Sequence, residues 1–300
     1  MKQKYRSGGF ENKTLGYIMT IPTTVLILLI SIYPLINGIL LSFENYNLMR
    51  PFERRFIGLE NFKTLITTDT EFYSVLAYSF IYTISVVGLS YLIGFVLAML
   101  LKGDTWGRGI YRTVLLLPWV VAPTVAATNW SWLLNDQIGF INKILVNWHI
   151  LDEAALFLAD PRLSRITVIV TGTWRSFPFM MVVIMAGLQS IPKELYESAH
   201  MDGAGFFRSL FSITIPMIKS VSTICLILMF LWTFNNFENI YLLTKGGPNN
   251  ATYTLPILTY FSAFFRSRIS YASTIATFML VVLLVFSMIQ LWLQKIGKDN

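Results

Sequence analysis

Residues 191–216 read IPKELYESAHMDGAGFFRSLFSITIP, a polar stretch set between two long apolar ones. Its local chemistry predicts a short helical hairpin. Pro192 suits the first turn of a helix, and Lys193 to Ala199 supply strong helix formers. Glu194 and Glu197 lie near that N-terminus, where they complement the positive end of the helix dipole. Gly203 and Gly205 predict a tight reversal through positive φ. A second helix follows from Phe206 to Ile213, with Phe206, Phe207, Leu210 and Phe211 as an apolar face, and Pro216 marks the start of the next apolar run. On residues alone the hairpin reads in two ways. It is either a connector packed on its own membrane domain or a surface built for a partner.

The surroundings of the hairpin are apolar. The 300-residue chain is 55% hydrophobic and 13% charged, against about 25% charged in an average soluble domain, and its mean hydropathy is +0.59. Uncharged runs cover 14–43, 72–101, 113–135, 220–237 and 269–294, and 166–192 is interrupted only by Arg175. Because about 20 apolar residues cross a hydrocarbon core of about 30 Å, these runs predict an all-α integral membrane protein. Its six spans fall at about 14–43, 72–101, 110–135, 166–190, 216–243 and 269–294. The first run is too long for a signal-peptide core and no small-x-small site closes it, so it is expected to be retained. Pro22 and Pro34 are tolerated there when neighbours satisfy the freed carbonyls.

Charge sets the expected orientation. Segments assigned to the cytoplasm, including a tail over 1–13 and the basic connection at 102–112, carry twelve Lys and Arg; those outside carry ten. This bias, with the basic N-terminus, favours both termini in the cytoplasm. The net charge of +7 suits anionic headgroups rather than nucleic acid. The single cysteine, Cys225, falls inside a predicted span, so no internal disulfide is available.

The order Glu197-Ser198-Ala199, Gly203, Ile213-Thr214-Ile215-Pro216 resembles the EAA loop, E-A-A-x3-G-x9-I-x-L-P, of permease subunits of bacterial ABC importers. Asp202-Gly203-Ala204 matches the sugar-permease version, and Ser198 departs from it by one compact residue. Residues 118–142, 174–190, 234–248 and 253–275 are similar to the corresponding parts of carbohydrate ABC permeases. The likeness is to the MalF-like branch, in its shorter six-span oligosaccharide and glycerol-phosphate form. It implies the type I importer permease fold and a domain over 14–300. It also implies a coupling helix seated in a cleft of an ATPase subunit, with Glu197 paired to a basic group there and Ser198, Ala199, Asp202, Gly203 and Ala204 as close-approach positions. The implied partners are a MalG-like second permease, two ATPase subunits that bind ATP and magnesium, and an extracytoplasmic sugar-binding protein. The implied location is the bacterial cytoplasmic membrane, and no cofactor is assigned to this chain itself.

Charged residues inside spans cost roughly 2.5–3.5 kcal/mol on insertion scales and are functional candidates by default. Arg175 and Glu238 are two such residues. Helical spacing places Trp232, Asn235, Asn236 and Asn239 on one side, at i, i+3, i+4 and i+7. A ring for the C–H face of a pyranose, beside amides that donate and accept, is what sugar recognition needs. Aligned by W-x-x-x-P and F-N-N-F, the resemblance puts substrate contacts on Trp174, Arg175, Ser176, Phe179, Trp232, Thr233 and Asn236. The bland alternative is that these amides hold helices together. Arg175 has three readings: a pair with Glu238, a side chain that snorkels outward, or a ligand for an anionic sugar or glycerol phosphate.

The remaining motifs bound the chemistry. No G-x4-G-K-[ST] loop is present, so ATP hydrolysis is expected in trans. His149 and His200 show no metal-ligand spacing. Two rivals stand beside the importer. An ion-coupled secondary transporter calls for paired acids within spans and an inverted repeat. A membrane glycosyltransferase calls for paired carboxylates at a cleft, and the only adjacent pair, Asp152-Glu153, lies in a loop.

Overall fold

The computed structural model describes residues 11–103 and 107–296; of the expected cytoplasmic tail, residues 1–10 lie outside the described residues. Among the described residues, four helices are long and apolar enough to cross a membrane: α1 (Leu15–Leu41), α3 (Thr70–Leu100), α7 (Pro161–Gln189) and a last helix over Ile269–Trp292. Two bent pairs complete a count of six. They are α4 (Arg108–Val120) with α5 (Pro123–Leu133), bent by 96°, and α9 (Phe206–Met217) with α10 (Lys219–Phe234), bent by 65°. The third span is therefore bent, where the sequence reading drew one rod. The 65° bend instead falls at Ile218, close to Pro216, where the sequence reading set the boundary between the hairpin's second helix and the fifth span. Pro123 ends the third span's first half because residue 122 is pushed to an extended conformation (φ −57°, ψ 140°).

Among the described residues the regular structure is helical apart from one antiparallel hairpin, β1 (Glu44–Asn47) with β2 (Arg50–Phe56), inside the first long loop. The chain forms two compact units, one from residues up to Thr68 with Thr259–Phe278, the other from Asp69–Leu258 with residues from Met279 onward. In the first unit the β-hairpin is held by side chains rather than by a core. Asn61 donates to the Ser42 and Glu44 carbonyls (2.9 and 2.7 Å), and Ser270 Oγ accepts from the Tyr46 amide at 2.9 Å. In the same unit, α2 (Glu60–Thr67) buries Leu65 completely.

The second unit carries the main core. Helix α3 packs along α7, and Val87, Ala98, Met180, Met181, Ile184 and Leu188 are buried there with Ile218, Cys225 and Met229 from the α10 region. Gly94 makes this approach possible: a Cβ at that position lies 2.8 Å from Met180 Cβ and from the Met181 amide nitrogen. Small residues that let helix backbones approach are what membrane packing demands, since lipid offers apolar side chains no penalty to escape. Tyr91 ties the same region together by donating to Ser222 Oγ at 3.0 Å.

Candidate functional site

The hairpin is built as its sequence implies, with two differences. Helix α8 (Lys193–Met201) begins after Pro192, whose extended backbone (φ −57°, ψ 135°) places it at the cap rather than in the first turn. The helix stops at Asp202. Gly203 takes φ +76°, its amide donating to the His200 carbonyl at 3.0 Å, and the Ala204 amide donates to the Ala199 carbonyl at 2.8 Å. Gly205 does not share this conformation: it is extended, at φ −75° and ψ 177°, and introduces α9. One left-handed residue is enough to close the turn, so the expectation of two is corrected.

The two helices are locked by their inner side chains. Tyr196 Oη and Thr214 Oγ1 are 2.9 Å apart, and the Lys102 ammonium sits 3.7 Å from the centre of the Tyr196 ring. Ile191 and Ile218 anchor both ends in the core. Ala199 and Ala204 are half-buried, whereas Glu197, Ser198, Asp202 and Gly203 are exposed. Met201, Phe206, Phe207 and Phe211 extend the exposed surface, with Met201 at 87%. Among the described residues Glu197 has no ion-pair partner. Exposed apolar side chains and an unpaired carboxylate on one hairpin make it a candidate interaction site.

The second candidate lies where α7 meets the end of α10. Helix α10 stops at Phe234, residues 235–237 leave helical geometry, and α11 (Glu238–Thr244) starts afresh. Trp232, Asn235, Asn236 and Asn239 therefore do not share one helix face, which corrects the periodic reading. The amides explain the break. Asn236 Oδ1 accepts from the Asn239 amide at 3.1 Å, capping the new helix, and Asn235 Nδ2 donates back to the Leu231 carbonyl at 3.0 Å. Asn side chains compete with the backbone ladder in this way. Asn239 Nδ2 reaches the Val168 carbonyl and Thr171 Oγ1, each at 3.3 Å, and so joins α11 to α7.

Trp174, Arg175 and Asn236 line one cleft together with Trp130, Glu238 and Asn239. Trp130 and Trp174 meet edge to face at 5.5 Å. Arg175 Nη1 donates to the Val121 carbonyl at 3.1 Å, at the bend of the third span, rather than pairing directly with Glu238. Val121 belongs to neither half-helix, so this bond satisfies a carbonyl that the bend set free. The free space is about 10 Å³, room for about one water molecule. Phe179 and Trp232 form a separate aromatic pair at 5.1 Å, with Trp119 on the other side of Phe179 at 5.8 Å. Ser176 is half-buried and Thr233 is buried, and neither lines the cleft. Trp130 was not picked out from the sequence; an aromatic residue two turns beyond the break at Pro123 was the available signal. Among the described residues, no group of three or more His, Cys, Asp or Glu is placed to hold a metal.

Residues 88–296 match the family model described as binding-protein-dependent transport system inner membrane component. The chain is 32% identical over 293 residues to the probable ABC transporter permease protein YurN of Bacillus subtilis, covering 97% of this chain and 99% of that one. It is 30% identical over 308 residues to the trehalose/maltose transport system permease protein MalF of Thermococcus litoralis, covering 99% and 98%. Its fold matches a chain of a bacterial alginate ABC transporter, solved with a periplasmic protein carrying an alginate pentasaccharide. That match has a TM-score of 0.82 at 24% identity, over 94% of both chains.

Proposed function

Since the chain belongs to the family of binding-protein-dependent transport system inner membrane components, and is a MalF-like carbohydrate ABC permease, we propose that it forms one half of the path for a neutral oligosaccharide. The observation that carries the reading is the 191–216 hairpin, which exposes Met201, Phe207 and Phe211 together with Glu197, a carboxylate that has no ion-pair partner among the described residues. In this account a second, homologous permease completes the path, and two ATPase subunits bind ATP and magnesium. An extracytoplasmic binding protein delivers the sugar. Both termini and the hairpin lie on the cytoplasmic side of the bacterial cell membrane.

The cycle is alternating access. Closure of the ATPase dimer carries the hairpin with it as a rigid body, because Tyr196–Thr214 locks its two helices together and the buried Ile191 and Ile218 tie it to the core. The helices then open the cleft, which in the conformation described holds about one water. Trp174 and Asn236 receive the sugar, with Phe179 and Trp232 as a neighbouring aromatic platform; Ser176 and Thr233 stay structural. Arg175 faces a cleft that also holds Glu238. The carboxylate offsets the guanidinium charge, which favours an uncharged sugar over a uronate or a glycerol phosphate.

The test is ATP hydrolysis by the co-assembled transporter in lipid, with its binding protein and a panel of neutral and acidic sugars. Stimulation by a neutral oligosaccharide, lost in Glu197→Ala, is the expected result. Transport by the purified chain alone, unaffected by Glu197→Ala, supports an ion-coupled secondary transporter instead.

A further inference from the structure

The back of the hairpin borders a second, larger cavity, half open to its surroundings, that the transport cycle does not use. It has about 380 Å³ of free space and lies between the end of α3 and the inner surfaces of α8 and α9. This is within the size range of small-molecule sites, about 300–1,000 Å³. Its lining combines the polar Lys102, His200 and Tyr196 with the apolar Met99, Phe206 and Leu210. It sits where an apolar helix gives way to polar sequence, since Met99 lies in the last turn of α3 and Lys102 just beyond it.

Lys102 decides the chemistry. Its ammonium is half-buried and rests on the Tyr196 ring at 3.7 Å. A cation held on a ring face keeps N–H donors free, because the ring satisfies its charge only from one side. Among the described residues no carboxylate pairs with it. His200, in the same lining, supplies a second nitrogen donor within the cavity. Tyr196 is fixed in turn by Thr214, so the cation's seat is preorganised. A cation, hydrogen-bonding side chains and apolar side chains lining one cavity fit an anion that carries a greasy chain.

We propose that this cavity binds a phosphate ester bearing an apolar chain, namely the headgroup of an anionic phospholipid from the leaflet beside the hairpin. Lys102 and His200 hold the phosphate, and Met99, Phe206 and Leu210 cover the first carbons of the chain. The lipid then bridges α3 to the hairpin, so its occupancy stiffens the element proposed to transmit motion. Binding itself does not rest on the importer reading; only this last consequence does.

The experiment uses the purified chain in nanodiscs of phosphatidylcholine containing a trace of photoreactive phosphatidylglycerol, followed by peptide mapping. Labelling is expected on peptides containing Met99–Lys102 and Phe206–Leu210, and it is expected to fall about five- to tenfold in Lys102→Gln/His200→Gln. Lys143→Gln, in the helix Phe140–Asn147 outside the cavity, serves as the control and keeps wild-type labelling. An excess of unlabelled phosphatidylglycerol should compete, whereas soluble glycerol phosphate should not. Labelling elsewhere only, or labelling unchanged in the double variant, overturns the site. Equal competition by glycerol phosphate overturns the lipid as its occupant. Should the double variant fail to purify, the map on the wild-type chain decides alone. A separate measurement, ATP hydrolysis of the assembled transporter with and without 20% phosphatidylglycerol, reports on coupling and leaves the binding result intact whichever way it falls.

Discussion

The hairpin at 193–217 and the break at 235–237 both interrupt the apolar fabric of the chain, and they handle their polar groups in opposite ways. The hairpin satisfies its backbone internally, through one left-handed glycine and short capping bonds, and leaves Glu197, Ser198 and Asp202 facing out. The break turns its side chains onto the chain itself: Asn235, Asn236 and Asn239 all bond to local or neighbouring groups. A surface free of internal obligations can dock a partner at little reorganisation cost. A polar cluster already engaged can receive a ligand only by exchanging bonds, which suits a site that must also release what it binds.

This contrast orders the expected effects of substitution. Glu197→Ala, at an exposed carboxylate with no internal partner, should lower sugar uptake by the assembled transporter about 100-fold, since truncating one member of a buried charge pair across an interface costs 2–5 kcal/mol or more. Its melting temperature should not move; a drop would place Glu197 in the fold and erase the distinction. Arg175→Met removes the charged donor from the Val121 carbonyl, a bond of about 1.5–3 kcal/mol. Uptake rate should fall about 10-fold, with Arg175→Lys recovering part of it, and spin labels across the third-span bend should report a changed angle. Asn239→Leu deletes two long hydrogen bonds between α11 and α7, each worth about 1 kcal/mol. A melting shift of several degrees is expected, with uptake reduced less than 3-fold; unchanged melting would free Asn239 for a direct role at the cleft. Ser198→Ala restores the family's compact residue on the exposed face and should leave uptake within about 2-fold, because substitutions away from packing and charge networks are near neutral.

The spans and the hairpin were legible because each is a local signal. Long uncharged runs report burial in lipid residue by residue, and the turn at Gly203 is fixed by its own backbone. The breaks were not legible because proline alone does not announce them. Pro22, Pro118 and Pro178 lie inside helices, whereas Pro123 starts a new one at 96° to the last. What differs is the environment: Arg175, 54 residues away in the chain, stands ready for the carbonyl freed at Val121. The β-hairpin escaped for the same reason, since Tyr46 is held by Ser270 across 224 residues. Of the cleft, Trp174, Arg175 and Asn236 could be named in advance. Their separation from Phe179 and Trp232 could not, because it follows from a helix end at Phe234 that a periodic pattern cannot express.

The most direct test of the central claim, that the 191–216 hairpin is the surface that meets the motor, is site-specific cross-linking at its exposed side. The sole cysteine, Cys225, is buried, so Ser198→Cys adds one accessible thiol. A thiol-to-amine cross-linker of about 8 Å applied to the assembled transporter should join this position to an ATPase subunit, with the yield changing when ATP is added. Free labelling of the position by a bulky maleimide in the intact complex, with no cross-linked product in either nucleotide state, would contradict the account.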